Sequence, residues 1–444
     1  MSQTAPLQKE NSVAAIARRA REASRSLARL SGERRNAILL AAAGAIEAAC
    51  PQILEANALD RRTAEPDVGS GKMSSAMFKR LHVTESGIAE MAMRVREVAR
   101  LDDPLGRTLM STELDDNLTL FRESCPLGVI GVIFESRPEV VPQLASLALK
   151  SGNALILKGG AEAAHTNEVL VRVWRAALEK FSEVPADSVQ LLQSRADVLE
   201  LLALDRDVDL IVPRGSYELV HFIMEHSRIP VLGHGEGICH VYVDRSADIE
   251  KAIEIAYDAK VQYPAVCNAA ETLLVHEEIA GKFLPAVVAR MKEAGVEIRA
   301  DAKTQSLLPG ENIARATEAD WSTEYGDMIL SIKVVPDLSD AIDHINRYGS
   351  RHTDTIVTED DAAAAKFMNE VDSAGVFQNA STRFADGFRY GFGAEVGISN
   401  SKLHARGPMG LEGLTTYKYK LYGNGHTVAP YAKGEKKFKH RPLS

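Results

Sequence analysis

Apolar positions recur along this chain with two different periods, and the change between them divides it. From residue 13 to about residue 100 they fall three and four apart, as in VAAIARRAREASRSLARL, ERRNAILLAAAGAIEAAC and TESGIAEMAMRVREVARL. That spacing puts one apolar stripe on each of several packed helices, and the Ala, Arg and Glu content suits them. Thr84 followed by Glu85 supplies a cap and a first-turn charge for the third. At 109–124, LMSTELDDNLTLFRES, two alternating runs flank Asp115-Asp116-Asn117 and predict a β-hairpin. From Pro126 the rhythm becomes strand, helix, strand. LGVIGVIFE, ALILKGG, SVQLLQ and VDLIVP are the strands, and helical runs follow each, the last starting at Ser216. Buried strands alternating with helices of this length imply parallel βαβ units with right-handed crossovers.

A second α/β stretch repeats the alternation. A helix at 248–262 leads into the strand ETLLVH and a helix over 277–295. Strands at 328–335, 353–358 and 374–379 then alternate with helices at 338–347 and 361–371. The basic, polar end KGEKKFKHRPLS predicts a disordered, solvated tail.

A length of 444 residues, 45% of them hydrophobic, predicts two or three domains. The net charge of -9 gives no global basic field for nucleic acid or a membrane surface. Four cysteines (Cys50, Cys125, Cys239, Cys267) show no CxxC and no Cys/His spacing, which points to reduced thiols and to no metal site. The first dozen residues carry no apolar h-region, and no run approaches the roughly 18 apolar residues of a membrane span. The expectation is a cytoplasmic α/β protein.

The candidate chemistry centres on Cys267. Pro264 stops the helix before it, and the apolar run at 272–275 starts a strand after it, so the thiol sits on a short connection among small residues. It is either a nucleophile or a buried thiol acting as a small hydrophobe. Two ends of the earlier strands also look equipped. Lys158-Gly159-Gly160 offers a cation beside flexible backbone, and Arg214-Gly215-Ser216 opens a helix whose terminal amides favour a phosphate. A surface lysine and an ordinary serine cap are the alternatives. The run Gly233–Gly237 (GHGEG) mimics a dinucleotide fingerprint, but strand-like ICHVYVD follows it where a helix is needed. It reads instead as a glycine-rich crossing whose backbone comes close to cofactor or catalytic loop.

Together these stretches resemble the aldehyde dehydrogenase superfamily, and within it the branch that reduces glutamyl phosphate. The resemblance covers about residues 13 to 425. VPDLSDAIDHINRYGSRHTDTI (335–356) carries it most specifically, supported by FESRPEVVPQLASLALKSGNALILKGGAEA, VPRGS and GLEGLTTYKYKLYGNG. It implies a Rossmann-type cofactor domain (1–108 and 126–240), an α/β catalytic domain (241–405) and a small β oligomerisation arm (109–125 and 406–430), before the tail at 431–444. Cys267 matches the superfamily's nucleophile, Lys158 the lysine on the adenosine ribose, Gly215 and Ser216 the pair at the pyrophosphate, and Glu324 the glutamate on the nicotinamide ribose. Where NAD-preferring relatives place a glutamate, this chain has Ala161, with Glu162 one further on; the missing carboxylate favours NADPH. The general base that hydrolyses thioesters in that superfamily has no counterpart in LGHGEGICHVYV, Glu236 lying out of register. Its asparagine oxyanion donor is also replaced, leaving Ser136 or Arg137 nearby. The implied reaction is NADPH-dependent reduction of L-glutamyl 5-phosphate through a cysteine thioester, in a homo-oligomer with possible channelling from glutamate kinase. Arg137, His352, Asn379, Ser381 and Arg383 are the candidates for holding the substrate. For His352 a structural histidine, and for Arg383 a surface ion pair, are the alternatives. A coenzyme A-dependent acylating dehydrogenase and a non-catalytic binding protein are the rival functions.

Overall fold

Polar caps set where the helices begin. Ser12 accepts the Ala15 N–H at 3.3 Å, Ser31 that of Arg34 at 3.2 Å, Thr84 that of Gly87 at 3.0 Å and Asp248 that of Lys251 at 2.9 Å. Each satisfies an amide that the first turn leaves without an intrahelical partner. The computed structural model describes residues 12–233, 236–393, 395–402 and 405–443. Residues 1–11 of the expected cofactor domain, His234 and Gly235 of the glycine-rich run, Ala394, Leu403 and His404 of the expected catalytic domain, and Ser444 of the tail lie outside the described residues. The chain forms two compact units, residues 1–232 with 410–444 and residues 233–409.

In the first unit the helices Val13–Leu27, Gly32–Ala48 and Glu85–Arg100 match the expected helical stretches. The helix Cys50–Gly69 joins them, with Pro66 in its last turns. The expected hairpin is β1 (Thr108–Asp115) and β2 (Leu118–Pro126), turning at Asn117 with φ 57°, a left-handed conformation that asparagine tolerates. There follow β3 (Val129–Phe134), β4 (Ala154–Lys158), β5 (Val189–Leu191) and β6 (Leu210–Arg214), a parallel sheet in the order β5-β4-β3-β6. All of β3 and β4 is buried, which is why both read as continuous apolar runs. Register places Lys158 opposite Ile133 and Arg214 opposite Phe134, so the two equipped strand ends flank the carboxyl end of β3.

The second unit holds β7 (Cys239–Val243), β8 (Ala270–His276), β9 (Glu297–Ala300), β10 (Ala314–Arg315), β11 (Ile329–Val335), β12 (Thr353–Val357) and β13 (Gly375–Gln378). They form one sheet in the order β10-β9-β11-β8-β7-β12-β13, every neighbouring pair parallel. Phe283, Leu284 and Val287 of the helix Glu277–Glu293 pack with Val241, Leu273 and Ile332 of the sheet. Each such side chain contributes roughly 1.5–3 kcal/mol by leaving water. A short antiparallel pair, β14 (Gly397–Ser399) and β15 (Gly407–Met409), completes the unit.

The chain then returns to the first unit. β16 (Thr415–Tyr422) pairs antiparallel with β2 along its whole length, and β17 (Arg441–Pro442) with β1, giving the order β16-β2-β1-β17. The tail expected to be disordered therefore ends on the hairpin. Tyr431 donates to Asp115 at 2.7 Å, Lys439 pairs with Asp116, and Arg441 lies 2.6 Å from Glu113. The basic residues that suggested solvation meet the acidic residues of β1 and its turn, a complementarity invisible in the tail's composition alone. Among the described residues no single helix is long and apolar enough to cross a membrane.

Candidate active site

The turn around Cys267 is made by its flanks. The helix Ile249–Val261 ends with Gln262 as its C-cap, because Pro264 disfavours a helical Tyr263 and lacks the next donor. The Ala269 N–H donates to the Val266 carbonyl at 2.9 Å, and β8 starts one residue later. Cys267 is half-buried. Beneath it lies Cys239, fully buried, whose thiol donates to the Cys267 carbonyl at 3.3 Å. Burial, reinforced by Asp354, pushes the Cys239 pKa well above its ordinary value, so it stays a protonated donor.

Gly237 closes the turn from another side. A Cβ there would stand 2.2 Å from the Cys267 carbonyl oxygen and 2.4 Å from its Cα, so backbone lies directly on backbone. The glycine-rich run thus comes close to the Cys267 loop at Gly237, the approach its composition suggested. The Gly237 N–H donates to the Glu324 carboxylate, whose pKa is raised by burial against this bond, with Glu236 adding repulsion. Glu324 is in this way tied to the loop that covers Cys267.

The 379–383 loop divides by role. Asn379, at φ 52°, accepts the Thr358 N–H at 3.0 Å and donates to its carbonyl at 2.9 Å, so its amide is committed to the scaffold and not to a substrate. Ser381 accepts the Arg383 N–H at 3.3 Å. Arg383 is only 7% exposed, and its Nε donates to Gln262 Oε1, in the Cys267 segment, at 2.9 Å. Burial lowers its pKa, Arg389 lowers it further, and Asp258, Asp386 and Cys267 oppose them. Among the described residues no carboxylate forms an ion pair with it, so the surface ion pair weighed as its alternative is not formed there and the guanidinium is buried. His352 lies fully buried, its Nδ1 2.9 Å from Thr353 Oγ1 and 3.7 Å from Cys239 Sγ. That places its ring between the Thr353 hydroxyl and the Cys239 thiol.

In the first unit, Lys158 is 7% exposed and donates to the Gly159 carbonyl, with its pKa lowered by burial. Ser216 caps the helix Tyr217–His226, and its own N–H donates to Glu135 Oε2 at 3.0 Å. A Cβ on Gly215 would stand 2.5 Å from that same oxygen. A carboxylate thus occupies the amide at the start of this helix. Glu162 Oε1 accepts both the backbone N–H and the hydroxyl of Ser136, at 2.6 and 2.8 Å, which ties Glu162 to the Ser136 loop. Ala161 is exposed and carries no carboxylate. Arg137 follows on the same loop, half-buried, its charge opposing the burial that raises the Glu139 pKa.

Sequence reasoning missed Gln262, the thiol bond of Cys239 and a buried pair, Lys260 with Glu271. The pair had a signal: Glu271 is a charge inside an otherwise apolar strand.

The aldehyde dehydrogenase family model matches residues 2–306. A gamma-glutamyl phosphate reductase of Haloquadratum walsbyi is 56% identical over 423 residues, 94% of this chain and 92% of its own. One of Acaryochloris marina is 53% identical over 434 residues, 98% and 99% of the two chains. The crystal structure of gamma-glutamyl phosphate reductase from Thermotoga maritima superimposes with a TM-score of 0.91 at 41% identity, covering 94% of this chain and 100% of that one. An acetylating aldehyde dehydrogenase from Geobacillus thermoglucosidasius shares the fold, with a TM-score of 0.64 at 17% identity over 96% and 99% of the chains.

Proposed function

Because the chain belongs to the aldehyde dehydrogenase family, as an oxidoreductase of the gamma-glutamyl phosphate reductase kind, we propose that Cys267 is its nucleophile and NADPH its reductant. The reaction is reduction of L-glutamyl 5-phosphate to L-glutamate 5-semialdehyde and phosphate, in proline biosynthesis. The Cys267 thiolate attacks the acyl carbon, an S–C bond forms, and phosphate leaves with the electron pair of the broken C–O bond. The Cys267 amide and a neighbouring donor meet the oxyanion. Lys158, Gly215 and Ser216 of the first unit would hold the adenosine ribose and pyrophosphate of NADPH, and Glu324 of the second its nicotinamide ribose; bound there, the cofactor would supply the hydride that reduces the thioester. The resulting thiohemiacetal collapses, returns the electron pair to sulfur and releases the semialdehyde. Hydrolysis of the thioester is avoided because the superfamily's water-activating glutamate is missing here.

Arg383, with Ser381 at its side, receives the substrate's α-carboxylate, and Arg137 is a further cation for the substrate's anionic groups. NADPH is preferred over NADH because Ala161 leaves no carboxylate against a 2′-phosphate and Glu162 is held by Ser136. The enzyme acts in the cytoplasm as a homo-oligomer through β16, whose residues Tyr417, Tyr419 and Leu421 are exposed on an edge strand. An acyl phosphate is a labile electrophile, which favours direct supply from the kinase that phosphorylates glutamate.

The observation that carries the reading is the half-buried Cys267 near Arg383, a buried guanidinium that forms no ion pair with a carboxylate among the described residues. The test is the reverse reaction of glutamate 5-semialdehyde with NADP⁺. Turnover that requires phosphate supports it; turnover that requires coenzyme A instead refutes it.

A further inference from the structure

Lys260 and Glu271 are opposite charges at the driest level of the second unit, 0% and 1% exposed, with Nζ 2.6 Å from Oε2. Burying such a pair costs desolvation that the attraction repays only when the remaining polar atoms are also satisfied. Hydrophobic residues of similar size would serve stability at least as well. The position of the pair suggests what it does instead. Lys260 stands at the end of the helix leading into the Cys267 turn, and Glu271 is the second residue of the strand leaving it. The pair therefore clamps the two feet of the turn together.

The second carboxylate oxygen reaches further. Glu271 Oε1 accepts the Gly326 N–H at 3.2 Å. Gly326 lies two residues beyond Glu324, whose carboxylate holds the Gly237 N–H, and Gly237 rests on the Cys267 backbone. The contacts close a ring from the Cys267 turn through Glu271, the 324–326 segment and Gly237 back to Cys267. Burial moves both groups toward neutrality, lowering the Lys260 pKa and raising that of Glu271 to about 7, so each needs the other to remain charged.

We propose that Lys260 and Glu271 are a positioning pair that fixes the Cys267 turn relative to the Glu324 segment, so that nucleophile and cofactor ligand are held in one geometry. The proposal rests on the reading of Cys267 as nucleophile and Glu324 as ribose ligand. Neither Lys260 nor Glu271 touches the reacting atoms.

The test uses the full chain with Glu271→Gln, Lys260→Met and the double variant. Either single change strands a buried charge and can prevent folding, whereas the double removes both charges and keeps the bulk. In the reverse reaction the double variant should melt within a few degrees of wild type and lose kcat about ten- to a hundredfold, the scale of a sub-ångström to 1 Å misplacement. Its KM for the semialdehyde should stay within threefold while its KM for NADP⁺ rises. A folded double variant with wild-type kcat and KM for NADP⁺ overturns the proposal. So does a folded double variant whose KM for semialdehyde and for NADP⁺ rise in parallel, since that marks a general loosening. If the double variant does not fold, Glu271→Gln, in which the amide oxygen can still accept from Gly326, is read by the same criteria. Cys267→Ser is run beside them: activity there removes the nucleophile assignment itself, while an inactive Cys267→Ser with a fully active double variant removes only the pair's role.

Discussion

Gly237→Ala probes the active site with a single methyl group. Gly237 does not adopt a left-handed φ, so alanine meets no conformational penalty and only the contact matters. Its Cβ would lie 2.2, 2.4 and 2.6 Å from the carbonyl oxygen, Cα and carbonyl carbon of Cys267, where ordinary contact begins near 3.4 Å. All three are backbone atoms and none can rotate away, so the two segments must part by about 1 Å. A displacement of that size at a reacting group costs on the order of a hundredfold in rate. Overpacking of this kind costs about 1–3 kcal/mol of stability, a lowering of the melting temperature by a few degrees in a protein this large. The parting also strains the bond from the Gly237 N–H to Glu324, so the KM for NADP⁺ should rise with the fall in kcat. The assay is the phosphate-dependent oxidation of glutamate 5-semialdehyde, run at least ten degrees below the variant's melting point. A variant that keeps kcat within threefold of wild type would falsify the view that this backbone contact sets the nucleophile's position.

Cys267→Ser should abolish turnover while NADPH binding, followed by nicotinamide fluorescence, stays near wild type, because a neutral hydroxyl is a far poorer nucleophile than a thiolate; more than a few percent of residual activity in clean protein refutes it. Arg383→Ala should raise the KM for glutamate semialdehyde roughly ten- to a hundredfold, the loss of one charge-assisted contact worth about 1.5–3 kcal/mol, with propanal oxidised as poorly as before; parallel loss on both aldehydes refutes a carboxylate-reading role. Ala161→Glu should weaken NADPH more than NADH by about 1–4 kcal/mol, the range of one unit charge near a surface, and equal weakening in a titration of both cofactors refutes it. Burial, with His240 and Lys333 adding to it, lowers the His344 pKa from 6.5 to about 2. The unfolded chain therefore binds a proton that the folded chain refuses, so this contribution is complete above pH 6.5 and is lost as the pH falls below it, by up to about 1.4 kcal/mol per unit. His344→Gln should show a smaller drop in melting temperature between pH 7.5 and 5 than wild type; an equal drop counts against it.

What could be read in advance depended on how many faces of an element are buried. β3, β4 and β8 are covered on both sides, so each carries a continuous apolar stretch, VIGVIF in β3, ALIL in β4 and LLV in β8. β9, with only alternate residues inside, and the two-residue β10 and β17 have no such pattern, and their existence follows from neighbours far along the chain. The Cys267 turn was legible because Pro264 and the β-branched run around it are local signals. The partners of side chains were not. Asn379 is a suitable donor for a substrate by type, but the backbone of Thr358 claims its amide. His352 is equally suitable, and the sheet carries it beneath Cys239. Arg383 shared the same uncertainty, and what distinguishes it is that burial brings its Nε to Gln262, with no ion pair to a carboxylate among the described residues.

The hairpin and its late partner set a schedule for synthesis. Lys420 on β16 pairs with Glu123 on β2, 297 residues earlier. A ribosome adding about 5–20 residues per second needs roughly 15–60 s to cover that distance. During that time one flank of β2 offers its amides and carbonyls to whatever strand is near, and neighbouring nascent chains on the same message carry the identical sequence. The β7–β12 pairing, 114 residues apart at His240 and Asp354, closes well before this. The second unit can thus be complete while the first still waits for its last long strand. A chain stopped before residue 415 keeps that flank open permanently, and its preferred outlet is association with another copy through β2.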